Sequence, residues 1–136
     1  MPWTRCQAER PRSGLARATR RRDTASWEAS HRAFHQAVSA GATSALAGTL
    51  ESLRARSERV VRARRDLGES GWELGQADHE AIGRAVLAGD ADGAVRELAW
   101  HLARTATWTI QVIGNGCRPV AVDAALALLG LGGDDG

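Results

Sequence analysis

The chain has 136 residues, of which 43% are hydrophobic and 25% charged, a composition that predicts one globular domain rather than a disordered chain. All 18 basic residues are arginine, and seven of them lie in residues 1–22 beside a single acidic residue, a net charge of +6 there. The other 114 residues carry 11 arginines and 15 acidic residues, a net charge of −4. No apolar stretch reaches the ~18 residues of a membrane span, and no secretory signal begins the chain, so we expect a cytoplasmic protein with no membrane contact.

Residues 1–22 form the basic segment. It contains Pro2 and Pro11 and shows no hydrophobic period, which predicts a poorly ordered segment. Clustered arginines also fit a nucleic-acid arm, because they neutralise phosphates. The alternatives are a solvated tail or sequence that does not belong to the domain. We therefore expect a boundary between residues 22 and 23.

Beyond this boundary the hydrophobic residues recur at helical spacing. Helices are predicted over residues 23–41, 43–67, 71–88 and 91–113, with a short apolar helix after Pro119. Asp23 or Thr24 is expected to cap the first of them, Gly68 to end the second and Asp90 to cap the fourth. The sequence predicts an all-α antiparallel bundle over residues 23–116, followed by a C-terminal extension over residues 117–136.

The four histidines carry the chemistry of the sequence, since all of them lie on or beside the inward stripes of these helices. His31 and His35 are four residues apart, so their rings share one helix face, and His79 and His101 belong to two later helices. A single histidine on an apolar face is usually an ordinary core residue. Four of them from three helices favour a site for a divalent transition metal, with Zn or Ni expected, while metal-free core histidines remain the alternative.

Catalytic motifs are not found in the sequence. His79 is followed by Glu80, but HEAIG lacks the second histidine of a zinc-protease helix. Cys6 and Cys117 are far apart, which argues against a disulfide framework and a cysteine-based zinc site. Cys117 beside Arg118 is a possible reactive thiol, though an inert cysteine fits its Gly-rich surroundings better. Imidazoles without a nucleophile indicate binding, not an enzyme.

Two stretches of the sequence resemble a known family. HRAFHQAVSAGATSALAGTLESLRAR and DHEAIGRAVLAGDADGAVRELAWHL are similar to consecutive motifs of the FCD domain, the effector-binding half of many GntR-type bacterial transcription regulators. The resemblance covers about Asp23 to Thr107. It implies an all-α bundle in which an Asp and three His hold a divalent metal, beside which a small organic acid binds as effector.

Matched position by position, the resemblance assigns His35, His79 and His101 to the three histidine ligands and His31 to the aspartate. An imidazole in place of the carboxylate leaves a bound divalent ion with a charge of +2 instead of +1, which attracts an anion more strongly and disfavours Mg and Mn. The alternative is that the longer ring at position 31 leaves a three-histidine site or none.

Three further residues are candidates near this site. Glu28 and Glu97 each precede a histidine by about one helical turn, so they are predicted to orient His31 and His101. Arg54 is predicted to meet an effector carboxylate with its planar guanidinium. A solvated surface position is the alternative for all three.

The resemblance also sets expectations for the whole chain. We expect a truncated or wrongly started regulator that contacts DNA only through a winged-helix domain absent from this chain, and a homodimer that covers its apolar stripes. Two other functions stay open: a small metalloenzyme with an imidazole-bound metal, and a metal-free helical dimerisation module.

Overall fold

The structure is a computed structural model that describes residues 5–66, 70–113 and 116–132. Within these ranges the chain forms helices and loops and no strand. This observation confirms the predicted all-α bundle. The described helices are α1 (Arg5–Arg21), α2 (Thr24–Val38), α3 (Ser44–Asp66), α4 (Ser70–Ala88), α5 (Ala91–Ile113) and α6 (Val120–Leu128). The predicted helix end at Leu67 and Gly68 and the last four residues lie outside the described ranges.

Helix α1 runs through most of the basic segment of residues 1–22. It packs against α2 and α4, and its Leu15 and Ala18 are buried in the core. A glycine at position 14 allows α1 to lie close to α2, because a Cβ added at Gly14 would lie 2.7 Å from Ser30 Oγ on α2. The exposed arginines of this helix lie on its other faces, whereas Arg12 is half-buried with its Nε shielded from solvent. Residues 5–21 are therefore part of the bundle.

A tight turn joins α1 to α2. Arg22 adopts a left-handed conformation with φ of 52°, and the backbone N–H groups of Arg22 and Asp23 donate to the carbonyls of Thr19 and Ala18. This pattern closes the end of α1 as a Schellman motif. Asp23 then caps α2 by accepting a hydrogen bond from the Ser26 N–H at 3.1 Å, which confirms the cap predicted from sequence.

The hydrophobic core joins the two helical pairs α1–α2 and α4–α5. Its buried members are Leu15, Ala18, Trp27, Phe34, Trp72 and Ile82. Gly89, with φ of 72°, ends α4, and Asp90 accepts from the Gly93 N–H at 2.8 Å to cap α5 as predicted. The short turn between them lets α5 return along α4, so histidines on α2, α4 and α5 face one another.

Helix α3 forms an outer wall of the bundle, and charged side chains connect it to α2. Arg32 on α2 donates from Nε and Nη2 to both carboxylate oxygens of Glu58, at 2.8 and 3.0 Å. Arg62 on α3 makes the same double contact with Glu28, at 3.0 and 3.2 Å. The hydrogen bond from Arg32 lowers the pKa of the Glu58 carboxyl. Two bidentate ion pairs thus attach α3 to α2.

Neutralising one of these pairs is expected to loosen α3 without unfolding the bundle. Glu58→Gln should speed amide hydrogen exchange in α3 by up to about fivefold, since an exposed ion pair contributes only modestly to stability. Amides in α2 and α4 should be unaffected. Arg56→Gln, a charge removal at an exposed position of the same helix, is the control. Equal exchange rates in the Glu58 variant and the wild type would contradict this role.

Helix α6 packs on α5 and leaves much of its surface exposed. Leu126 is its buried residue, whereas Val120 and Leu128 are exposed. The helix confirms the short apolar segment predicted after Pro119; the predicted boundary at residue 117 remains an expectation. None of the helices described in the structure has the length and apolar character that a bilayer crossing requires.

Candidate metal centre

The four histidines lie together in the centre of the bundle. His31 and His35 come from one face of α2, His79 from α4 and His101 from α5, and one nitrogen of each lies within 4.8 Å of the others. His79 and His101 are buried, while His31 and His35 are half-buried and face the cavity described below. The structure thus brings together all four predicted residues, and metal binding by them stays a prediction.

The distances between the ring nitrogens suit a shared cation. His35 Nε2 lies 3.1 Å from His31 Nε2 and 3.3 Å from His79 Nε2. Nitrogens about 2.0–2.1 Å from a tetrahedral zinc ion are about 3.3 Å apart. A neutral imidazole carries a lone pair on one nitrogen, so the three Nε2 atoms can each direct a lone pair at one ion. The donor set therefore fits a divalent transition metal.

Burial keeps the central imidazoles neutral. Desolvation, with the nearby His101 and Arg54, lowers the pKa of His35 from 6.5 to about 3. Desolvation and the three other rings hold the pKa of His79 well below its ordinary value. Neutral imidazole is the form that binds metal, so both side chains stay ready to act as ligands in weakly acidic solution.

The metal-free protein is expected to lose stability in acid because of these two side chains. Their pKa is lower in the folded state than in the unfolded state, so below pH 6.5 the unfolded chain binds more protons. The free energy of unfolding should fall as the pH is lowered from 6 to 4, with His35 alone contributing about 1 kcal/mol per pH unit and His79 acting in the same direction. Denaturant titrations after chelation at pH 7, 6, 5 and 4 measure this slope, and a flat profile would contradict it.

Asp78 orients His101. Its Oδ2 lies 3.1 Å from His101 Nδ1, while Arg104 donates to both carboxylate oxygens, at 2.6 and 3.3 Å. Burial alone would raise the pKa of Asp78, but the hydrogen bonds from His101 and Arg104 lower it. An ionised carboxylate at Nδ1 fixes the ring orientation and leaves Nε2 for a ligand, as is common at metal sites. The structure places Asp78 in an orienting position that the sequence did not predict, and the expected effect of Glu97 on His101 stays a prediction.

Asp78 was missed because its partner lies on another helix. It directly precedes His79 in the sequence, and neighbouring residues on a helix point in different directions. Only the packing of α4 on α5 brings Asp78 to His101. The one sequence signal is Arg104, which follows His101 by three residues and so lies on the same face of α5.

Aromatic packing holds the rings of α2. The indole of Trp27 stacks on His31 with ring centroids 4.3 Å apart and an angle of 16° between the planes. Phe34 packs edge-on against His35 and His79 at 5.4 and 5.2 Å. Glu28, expected to orient His31, accepts from Arg62 with both oxygens, and its effect on His31 stays a prediction. The rings are thus positioned largely by apolar neighbours.

A cavity of about 530 Å³ opens from the histidines between α2, α3, α4 and α5. Arg54 lies beside them with only 14% of its side chain exposed, which rules out the solvated position considered for it. Its Nη1 donates to Glu51 at 2.6 Å, and its Nη2 donates to Ser39 Oγ at 3.1 Å and to the His35 carbonyl at 3.4 Å. A positive charge is therefore held next to the four imidazoles.

Comparison with known families and proteins agrees with this architecture. A model of the FCD domain matches residues 7–104, which is more than half of the chain. No curated protein and no solved structure matches the chain. The match begins inside α1, before the boundary predicted between residues 22 and 23, and it includes all four histidines.

Proposed function

Because the chain belongs to the FCD domain family, we propose that it is the effector sensor of a GntR-type transcriptional regulator and that its four histidines bind a divalent transition metal, Zn or Ni. The FCD domain is the regulatory, ligand-binding part of such regulators and not a catalytic one. DNA contact would pass through a winged-helix domain rather than through the helices described above.

The observation that carries the proposal is the convergence of four imidazole nitrogens at one end of a cavity. All four lie within 4.8 Å of one another, and Arg54 lies beside them. A bound divalent ion would supply a positive charge for an anionic effector. In this proposal the imidazoles hold the ion and Asp78 fixes the ring orientation of His101. Arg54 attracts the effector's carboxylate from the side.

His31 changes the charge of the proposed ligand set. The resemblance places an aspartate at this position in the family, whereas an imidazole here makes the ligand set neutral. The ion then keeps its full charge of +2, which strengthens the attraction for an anion. An all-imidazole set also favours Zn, Ni or Co over Mg and Mn, which prefer oxygen ligands.

Metal analysis of untagged protein tests the proposal. We expect about one Zn or Ni per chain after dialysis, loss of that metal in His101→Ala, and no loss in Gln36→Ala, which removes an exposed polar side chain beside His35. Addition of a simple carboxylate such as hexanoate should then tighten metal binding without being consumed. Metal-free protein, or an unchanged metal content in His101→Ala, would overturn the proposal, and turnover of the acid would indicate an enzyme.

We also propose a homodimer, supported by the apolar side chains that the single chain leaves uncovered. Val120 and Leu128 on α6 are 66% and 90% exposed. Exposed apolar surface of this kind is typical of an interface between subunits. Sedimentation should show a dimer for the wild type and a monomer for Leu128→Arg, and a monomeric wild type would contradict the assembly.

A further inference from the structure

The cavity beside the histidines has one polar end and one long apolar side. We propose that its effector is a monocarboxylic acid with an apolar body, alkyl or aryl, and not a hydroxy acid, a sugar acid or a polycarboxylic acid. This inference rests on the proposed function, since it names the chemical class of the effector that the same site takes. It follows from the distribution of charge, hydroxyl groups and apolar surface around the cavity.

Charge is confined to one end of the cavity. Among the described residues that line it, Arg54 is the one with a permanent charge, and it lies against the His35 carbonyl at the histidine end. One carboxylate can therefore be placed between Arg54 and the imidazoles. A second carboxylate on the far side would be buried without a cationic partner, which is strongly unfavourable.

Most of the hydroxyl groups lining the cavity already donate to their own helices. Ser39 Oγ donates to the His35 carbonyl at 2.8 Å, Ser57 Oγ to the Arg54 carbonyl at 2.9 Å, and Thr109 Oγ1 to the Thr105 carbonyl at 2.8 Å. These bonds use the donor hydrogens that a sugar acid or hydroxy acid would need for its own oxygens. The oxygens of a ligand with several hydroxyl groups would therefore lose hydrogen bonds that they accept from water and replace few of them in the cavity.

The rest of the wall is apolar and belongs mainly to α3 and α5. The side chains that form it are Leu50, Leu53, Val60, Leu98, Leu102, Ala106 and Ile110. Leu53 and Leu102 line the cavity and are each 55% exposed, so an apolar ligand body would cover them. Burying a methylene group tightens binding by up to about fourfold, so the affinity should rise with the length of the ligand's alkyl chain.

Calorimetry on the full chain, with and without bound metal, tests the proposal. The probes are acetate, hexanoate and octanoate, with gluconate and citrate as polar competitors. We expect affinity to rise by about two- to fourfold per methylene from acetate to octanoate, and gluconate to bind no more tightly than acetate. Tighter binding of citrate or gluconate than of octanoate would overturn the inference.

Matched variants locate the apolar body. Leu53→Asn should weaken octanoate binding by about tenfold and leave acetate binding unchanged. Leu46→Asn is the control, because Leu46 is on the same helix with 51% exposure but does not line the cavity. Leu102→Asn and Val95→Asn form the same pair on α5. Equal effects within each pair would contradict the proposed position.

The two proposals fail in different ways. Metal content is measured on the same samples: a chain that binds no metal but still prefers octanoate defeats the metal-assisted function and leaves the ligand class standing. A chain that binds metal and prefers citrate defeats the ligand class and leaves the metal-assisted function standing. Folding of each variant is checked by its circular dichroism, and the exposed positions of all four substitutions favour retained structure.

Discussion

Replacing His79 with alanine is expected to abolish the stabilisation that Zn or Ni gives to the folded chain. His79 is 1% exposed, and its ring lies 5.0, 5.3 and 4.6 Å from those of His31, His35 and His101, so it occupies the middle of the cluster. A metal present at a thousandfold excess over its Kd stabilises the native state by about 4 kcal/mol. For a domain of this size that corresponds to a rise in Tm on the order of 10–20 °C.

Thermal unfolding with and without metal measures this effect. The wild type should gain stability with Zn or Ni, and His79→Ala should show no gain, although its metal-free form is also less stable because a buried side chain has been removed. The comparison of each protein with itself, plus and minus metal, separates ligand loss from packing loss. An equal rise in Tm for both proteins would show that the metal binds elsewhere.

A second variant keeps the test informative if His79→Ala folds poorly. His31→Asp restores the carboxylate that the family resemblance places at this position, and it should retain metal binding. A carboxylate is a harder ligand than imidazole, so the ratio of Mn affinity to Zn affinity should rise. An unchanged ratio would show that position 31 does not contact the metal.

Much of the fold was predictable from sequence because its signals are local. The described bounds of α2, α4 and α5 lie within a few residues of the predicted ones, and both predicted caps, Asp23 and Asp90, accept the expected backbone N–H. A cap and a run of apolar residues at helical spacing depend only on neighbouring positions. The four histidines were identified for the same reason, since each lies on an apolar stripe.

Helix α1 was not predicted, because its buried face is built mostly from residues that do not signal burial. Among the side chains of α1 that the structure describes, Leu15 is the one large apolar side chain that is buried, and other contacts of the helix include Gly14, Ala18 and the side chain of Arg12. A Cβ at Gly83 on α4 would lie 2.6 Å from Arg12 Cδ, so a glycine on one helix makes room for an arginine on another. Such a fit depends on two distant segments and leaves no hydrophobic period.

The polar contacts of the site could not be predicted from the sequence, because they also depend on how distant segments pack together. The contact between Asp78 and His101 and the position of Arg54 beside Ser39 both depend on how helices are rotated against one another. A one-residue change in that register would turn either side chain away by about 100°. Residue types therefore predicted the four clustered histidines, whereas the groups that orient them could be identified only in the packed structure.

Leu15→Ala provides the direct test of whether the basic segment belongs to the folded domain. Leu15 is fully buried, and α1 packs against both α2 and α4, which carry three of the four histidines. Truncating a buried leucine removes apolar contacts and leaves a cavity, so the free energy of unfolding should fall by about 2–5 kcal/mol. That loss is a large fraction of the stability of a small domain.

Arg17→Ala is the matched control, because Arg17 lies on the same helix and is exposed. It should change the free energy of unfolding by no more than about 0.5 kcal/mol. If residues 1–22 were a solvated tail, both variants would unfold at the denaturant concentration of the wild type. Since α1 supports the helices that hold His31, His35 and His79, Leu15→Ala should also weaken metal binding, whereas Arg17→Ala should leave it intact.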